Sequence, residues 1–209
     1  MKKNKFTPQF NQKNIDIKSV ETVYDGFFKI NQFIFTHSLF AGGQSDLVKR
    51  EIFERGHAVA LLSYDPVENK VVLIEQLRIG ALDTKDSPWL LEVIAGMIDK
   101  PEDKQQVAIR ETEEEAGLTI HKLIPMLSYL SSPGGSTERL YLYLGIVDCK
   151  SAGGIFGLED EQEDIKVHVF DYNEAIDLLN NDELDNAATL ICMQWLALNK
   201  SKIDKQIHA

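Results

Sequence analysis

The sequence predicts a mixed α+β protein organised around a sheet. Strand-like stretches outnumber helical ones, the two kinds interleave along the chain, and hydrophobic residues make up 44% of 209 positions, enough for a packed core. That length suits one ordinary domain or a domain with a substantial extension.

Residues 1–16 are polar and are expected to be mobile. Residues 19–40 alternate apolar and polar side chains, are rich in aromatics, and break at Asp25-Gly26, which predicts a strand pair, with a third strand from Leu47. The resulting small antiparallel sheet has many apolar groups and no helix of its own, so it is expected to pack on a neighbour or a second subunit. The boundary is drawn at 1–48 for this dimerisation region and 49–209 for the main domain.

In the main domain, two apolar runs flank the turn-forming residues 65–70 and read as a hairpin over 57–78. Residues 88–96 form one short apolar run ending at Gly96. A helix is predicted over 102–116, opened by Pro101 and stopped by Gly117, because glycine takes positive φ without strain. Residues 122–130 and 138–147 are further strands around the SSPGGST loop, and 165–170 alternate cleanly. Helices over 174–180 and 186–199 close the chain. His57 and His168 fall inside strand patterns and are read as packed or hydrogen-bonded; Trp89 and Trp195 are assigned to the core.

The net charge of −11 argues against nucleic-acid binding, since backbone affinity comes largely from Lys and Arg. The lysines near the start have no apolar run behind them, and no segment approaches 18 apolar residues, so a soluble cytoplasmic protein without a membrane segment is expected. Cys149 and Cys192 show no CxxC or Cys/His spacing and are read as small packed residues.

The helix over 102–116 raises a specific question. It crowds Glu111, Glu113, Glu114 and Glu115 beside Arg110, and like charges at i,i+4 cost a helix roughly 0.2–0.5 kcal/mol per pair. At 100° per residue, Glu111, Glu114 and Glu115 share an arc of about 100°, Glu113 points to solvent, and Ile109, Thr112 and Ala116 are expected to form the packing side. Carboxylates so converged are hard oxygen ligands suited to Mg²⁺ or Mn²⁺.

The stretch 96–118 resembles the Nudix box, Gly-x5-Glu-x7-Arg-Glu-U-x-Glu-Glu-x-Gly-U. Gly96, Glu102, Arg110, Glu111, Glu114, Glu115, Gly117 and Leu118 match, and Thr112 stands where an aliphatic residue is usual. The resemblance extends from about Val20 to Leu198, toward the bacterial ADP-ribose pyrophosphatases within that family, and Pro133 lies fifteen residues past Leu118 as that subgroup has it. It implies a Nudix α/β/α sandwich with an N-terminal antiparallel β-sheet extension, a homodimer, and Mg²⁺-dependent (or Mn²⁺-dependent) hydrolysis of ADP-ribose to AMP and ribose 5-phosphate.

The resemblance also implies roles. Glu111, Glu115 and the Ala95 carbonyl are expected to hold metal, with Glu163 as a further ligand. Arg110 and Glu114 support catalysis, Arg110 by orienting carboxylates. Residues 159–164 hold five acids in six positions; Glu161 aligns as general base, with Glu159 and Glu163 as the other choices, and Gly153, Gly154 and Gly157 allow the loop to close. Arg50 and Arg78 are expected at the phosphates, Gly96 and Met97 beside them, Glu138 at ribose hydroxyls, and Phe28 on the adenine across a dimer interface. The competing readings are a GDP-mannose hydrolase, a Nudix-fold sensor that binds without cleaving, and a calcium module; the intact box disfavours the sensor, and no D-x-D-x-D-G loop supports the calcium module.

Overall fold

The computed structural model describes residues 6–83, 87–98, 102–159 and 162–207. The chain divides into two compact units, Met1–Arg55 with Ser132–Glu138, and Gly56–Ser131 with Arg139–Ala209.

The first unit is an antiparallel sheet in the order β1 (Ile15–Asp25), β2 (Lys29–His37), β3 (Val48–Glu54). The polar lead is not without structure. Asn11 caps a 3-10 turn over Gln12–Asn14, its side chain and that of Asn14 each accepting from the other's end of the turn, and β1 starts directly after it. The β1–β2 turn falls at the expected Asp25-Gly26, where the Tyr24 ring folds over Gly26 and leaves no room for a Cβ. Every residue of β1 is exposed, including Ile15, Ile17, Val20, Val23 and Tyr24. Segment 132–138 is stitched to β3: the Phe53 N–H donates to the Gly135 carbonyl at 2.7 Å, and the Thr137 hydroxyl donates to Glu54.

The second unit is an α/β/α sandwich. Its eight-stranded mixed sheet runs β10 (Gly154–Phe156), β11 (Ile165–Asp171), β5 (Lys70–Leu77), β4 (His57–Asp65), β9 (Arg139–Ile146), β8 (Lys122–Leu130); β6 (Trp89–Glu92) pairs with β5, and β7 (Ile94–Ile98) with β4. Only the β4–β9 pairing is parallel among these. Period-two alternation sorts the strands into two cores. Ala60, Leu62, Tyr64, Leu142 and Leu144 pack with Ala188, Cys192, Met193 and Leu196 of α3 (Ala187–Ile207), while Val59, Leu61, Val72 and Tyr143 pack with Val107, Ala108 and Ala116 of α1 (Lys104–Ala116). The short α2 (Tyr172–Asn180) lies on the α3 side, with Ala175 buried there. Both cysteines are buried free thiols, and no helix among the described residues is long and apolar enough to cross a membrane.

The apolar run 88–96 forms two strands, β6 and β7, with the Val93 N–H between them donating to Thr189 Oγ1 at 2.9 Å. Three local expectations change. Trp89 is 51% exposed, since it opens β6 opposite the equally exposed Leu77 at the outer end of β5; Trp195 does pack against the α3 core. The last helix runs on to Ile207, held by Ile203 in the core and by Asp204, which accepts from Tyr64 Oη at 2.9 Å and from Lys200 Nζ at 2.7 Å. Residues 154–156, expected as loop, add the edge strand β10. The histidines are hydrogen-bonded as expected: His57 Nδ1 accepts from the Arg139 N–H at 3.2 Å, and His168 Nε2 lies 2.7 Å from Glu75 Oε2.

Candidate active site

The site is organised by α1 on β7. Asp103 caps the helix by accepting from the Gln105 N–H, and Gly117 ends it at φ 62°. Gly117 meets a second demand, because the Phe156 ring lies where a Cβ would be. This contact ties the end of α1 to the strand that leads into the acidic loop.

The buried face of α1 is Val107, Ala108, Thr112, Glu115 and Ala116. Sequence periodicity had placed Glu115 away from the packing side and Ile109 on it; instead Ile109 is 39% exposed and Glu115 only 3%. The reason is the surface below. β7 presents Ala95 and Gly96, so the carboxyl reaches the strand and accepts the Ala95 N–H at Oε2, 3.1 Å away. The Glu111 side chain lies across Gly96 so closely that any Cβ there would overlap its carboxyl group. Thr112 is also buried and satisfies its hydroxyl on the Ala108 carbonyl at 2.7 Å, so the departure from an aliphatic residue leaves no polar atom stranded. Glu113 is exposed, as expected.

These carboxyls are hard to ionise. Burial, with smaller contributions from Glu114 and Glu163 against the opposing pull of Arg110, pushes Glu111 up to about 7. Burial, with Glu111 and Glu163 adding to it and the Ala95 hydrogen bond and Arg78 opposing it, pushes Glu115 up to about 8. Glu111, Glu115, Glu163 and Arg78 therefore share one electrostatic neighbourhood. The local cations are already engaged. Arg110 donates from Nη1 to Glu114 at 2.7 Å, pairs through Nη2 with Glu111 at 2.9 Å, and reaches Glu102 at 3.8 Å. Arg78 sets its Nε and Nη2 on Glu92 Oε2 at 2.9 and 2.8 Å.

Other expected residues are placed as follows. Glu163 is half-buried, and its Oε2 accepts the Leu158 N–H at 3.3 Å, while Gly157, at φ 107°, has no room for a Cβ beside it. Glu161 lies outside the described residues. Met97 is half-buried in β7 opposite Ala58. Phe28 and Glu138 meet in the first unit through a residue that sequence reasoning passed over, Arg55: its Nε pairs with Glu138 Oε1 at 3.2 Å, and its guanidinium stands 5.5 Å from the Phe28 ring. Arg50, exposed on β3 of the same unit, donates from Nη1 to the Lys49 carbonyl. Glu92 was also passed over. Its signal was legible: a single acid inside the apolar run 88–96 has to be paired if that run is buried.

The donor set fits a divalent cation. It consists of oxygens, it is deficient in positive charge, and Gly96 leaves Glu111 free access to the strand. Among the described residues no three His, Cys, Asp or Glu side chains are arranged to hold a metal as they stand. Ala95 contributes its N–H to Glu115.

The raised values set a pH dependence for the chelated protein. Below about 4.5, the ordinary value, both carboxyls are protonated folded and unfolded, and their contribution is fully present. As pH rises toward 8 the unfolded chain releases protons that the folded state retains, so stability is lost. In EDTA, Tm should fall between about pH 5 and 8.5, and Glu115→Gln should flatten that fall. A Tm that rises over this window, or a slope that the variant leaves unchanged, contradicts the assignment.

Comparison with known proteins agrees with this geometry. A family model described as the NUDIX domain matches residues 54–191. The chain is 48% identical over 197 residues to the ADP-ribose pyrophosphatase of Escherichia coli (strain K12), covering 94% of each chain, and 46% identical over 199 residues to that of Haemophilus influenzae, covering 94% of this chain and 92% of the relative. The crystal structure of an ADP compounds hydrolase superposes with a TM-score of 0.69 over 90% of this chain and 96% of its own, at 20% identity, a likeness of fold. With the family model matched over residues 54–191, and with Glu111 and Glu115 of the box gathered over Gly96 and Ala95, the chain belongs to the Nudix family.

Proposed function

We propose that the protein hydrolyses the pyrophosphate of ADP-ribose to AMP and ribose 5-phosphate, using Mg²⁺ or Mn²⁺. The observation that carries the reading is the half-buried Glu111 over Gly96 beside the buried Glu115 on Ala95, on a chain whose relatives of matching length are ADP-ribose pyrophosphatases. Glu111, Glu115, Glu163 and the Ala95 carbonyl would hold the cation, which when bound supplies charge neutralisation and a more acidic water. Arg110 fixes the Glu111 and Glu114 carboxylates by charge-assisted bonds. Glu161, with its place in the acidic loop, takes the proton as water attacks one phosphorus and the bridging P–O bond breaks. Arg78 binds phosphate, with Gly96 and Met97 beside it; the resemblance further assigns Arg50 to phosphate, Glu138 to ribose hydroxyls and Phe28 to the adenine across a dimer interface.

The chain is expected to act as a homodimer in the cytoplasm. The dimer is supported by β1, whose apolar residues lie uncovered on both faces, and the compartment by two free thiols.

With Mg²⁺ present, ADP-ribose should give AMP and ribose 5-phosphate with a kcat/KM above that for GDP-mannose; the reverse order would overturn the substrate. Glu115→Gln should depress turnover with partial rescue at high Mg²⁺, while Glu161→Gln should cut kcat by roughly 10² to 10⁴ with KM nearly intact. Near-normal kcat in Glu161→Gln, with the loss appearing in Glu159→Gln or Glu163→Gln, would reassign the base. Sedimentation should show a dimer at micromolar concentration, and a fully active monomer would remove the dimer proposal.

A further inference from the structure

Glu92 is a charge that the fold carries inside. It ends β6, opposite Ile74 of β5, and is 2% exposed. A buried carboxylate survives only when paired and hydrogen-bonded, and both of its oxygens are used. Oε2 accepts Arg78 Nε and Nη2 at 2.9 and 2.8 Å, with Gln76 Nε2 at 3.5 Å, and Oε1 accepts Asn186 Nδ2 at 2.8 Å.

Asn186 is held in turn. Its Oδ1 accepts the N–H groups of Ala188 and Thr189 at 2.9 and 3.2 Å, as an N-cap does at the start of α3, and the Thr189 hydroxyl at 3.4 Å. Thr189 Oγ1 accepts the Val93 N–H. Each polar atom of this series has a role that only one orientation of the Asn186 amide allows. The start of α3 is thereby connected to a guanidinium two bonds away.

The guanidinium is the part of the network that faces outward. Arg78's side chain is 42% exposed against 2% for Glu92. The carboxylate engages the Nε–Nη2 edge, so Nη1 is turned away from Glu92. Arg78's charge is felt at Glu115, so the guanidinium lies within electrostatic reach of the box carboxylates. A buried pair of this kind contributes little net stability compared with apolar side chains of the same volume, whereas it fixes the direction of a long and otherwise mobile side chain.

We propose that Glu92 is a positioning residue for substrate binding: it aims the Arg78 guanidinium at the substrate phosphates, and Asn186 anchors it to the start of α3. This rests on the reading of the protein as an ADP-ribose hydrolase in which Arg78 binds phosphate.

The test is a double-mutant cycle on KM and kcat for ADP-ribose at saturating Mg²⁺, with Tm measured in parallel. Arg78→Ala should raise KM by about tenfold or more, and Glu92→Gln by about three- to tenfold with kcat within about twofold. In the Arg78→Ala background, Glu92→Gln should add almost nothing, because the side chain it directs is gone. Asn186→Ser keeps a good N-cap while withdrawing the bond to Glu92, and should raise KM in the same direction by less. It carries the test should Glu92→Gln fail to fold.

The inference is overturned if Arg78→Ala raises KM while the Glu92 and Asn186 variants leave it unchanged, or if the Glu92→Gln penalty persists in full without Arg78. If Arg78→Ala itself leaves KM unchanged while ADP-ribose is hydrolysed, Arg78 is no phosphate ligand and the inference falls with that premise. Absence of any ADP-ribose hydrolysis by the unaltered protein would instead overturn the proposed function.

Discussion

The rest of the structure depends on a carboxylate placed on the packing face of a helix. Glu115 lies on the buried face of the last turn of α1, where an apolar side chain would ordinarily sit, and its Oε2 accepts the Ala95 N–H. This arrangement requires a strand with almost no side chains beneath it. Ala95 and Gly96 meet that requirement, and the register of β7 on β4, with Ala60 opposite Ala95 and Val59 opposite Gly96, holds them under the helix. The αL end at Gly117 and the Phe156 ring upon it then fix where the following acidic loop begins.

Glu111 and Glu115 resist ionisation because burial, and the neighbouring carboxylates, disfavour the charged form, and the nearby arginines relieve this only in part. Arg110 is shared among Glu102, Glu111 and Glu114, and Arg78 is engaged by Glu92. A cation from solution offsets such a deficit more effectively than another side chain, because it neutralises several carboxylates at once. The same cation would match the charge of a pyrophosphate, and so let a chain of net charge −11 take an anionic substrate.

Much of the fold was legible because it rests on local rules. The strand alternation, the Asp25-Gly26 turn and the Gly117 helix stop follow from periodicity and backbone preference, and the spacing of the box named its carboxylates. What escaped depends on tertiary contacts. Glu115 on the packing face requires knowing that Gly96 lies beneath α1, and the split of residues 88–96 requires knowing that Thr189 captures the Val93 N–H. Trp89 is exposed because its partner Leu77 ends a strand at the rim, which hydrophobicity alone cannot indicate. Arg55 and Glu92 act through residues distant in sequence, Glu138 and Asn186.

Glu111 and Glu115 are expected to retain protons near neutrality, and a divalent cation bound there, as proposed, would displace them. Calorimetric titration of Mn²⁺ into the chelated protein at about pH 7, in two buffers of different ionisation enthalpy, counts the protons released. Net proton release is expected on binding, reduced in Glu115→Gln and fading above about pH 9, where both carboxyls are already ionised. Binding at pH 7 without proton release would contradict it.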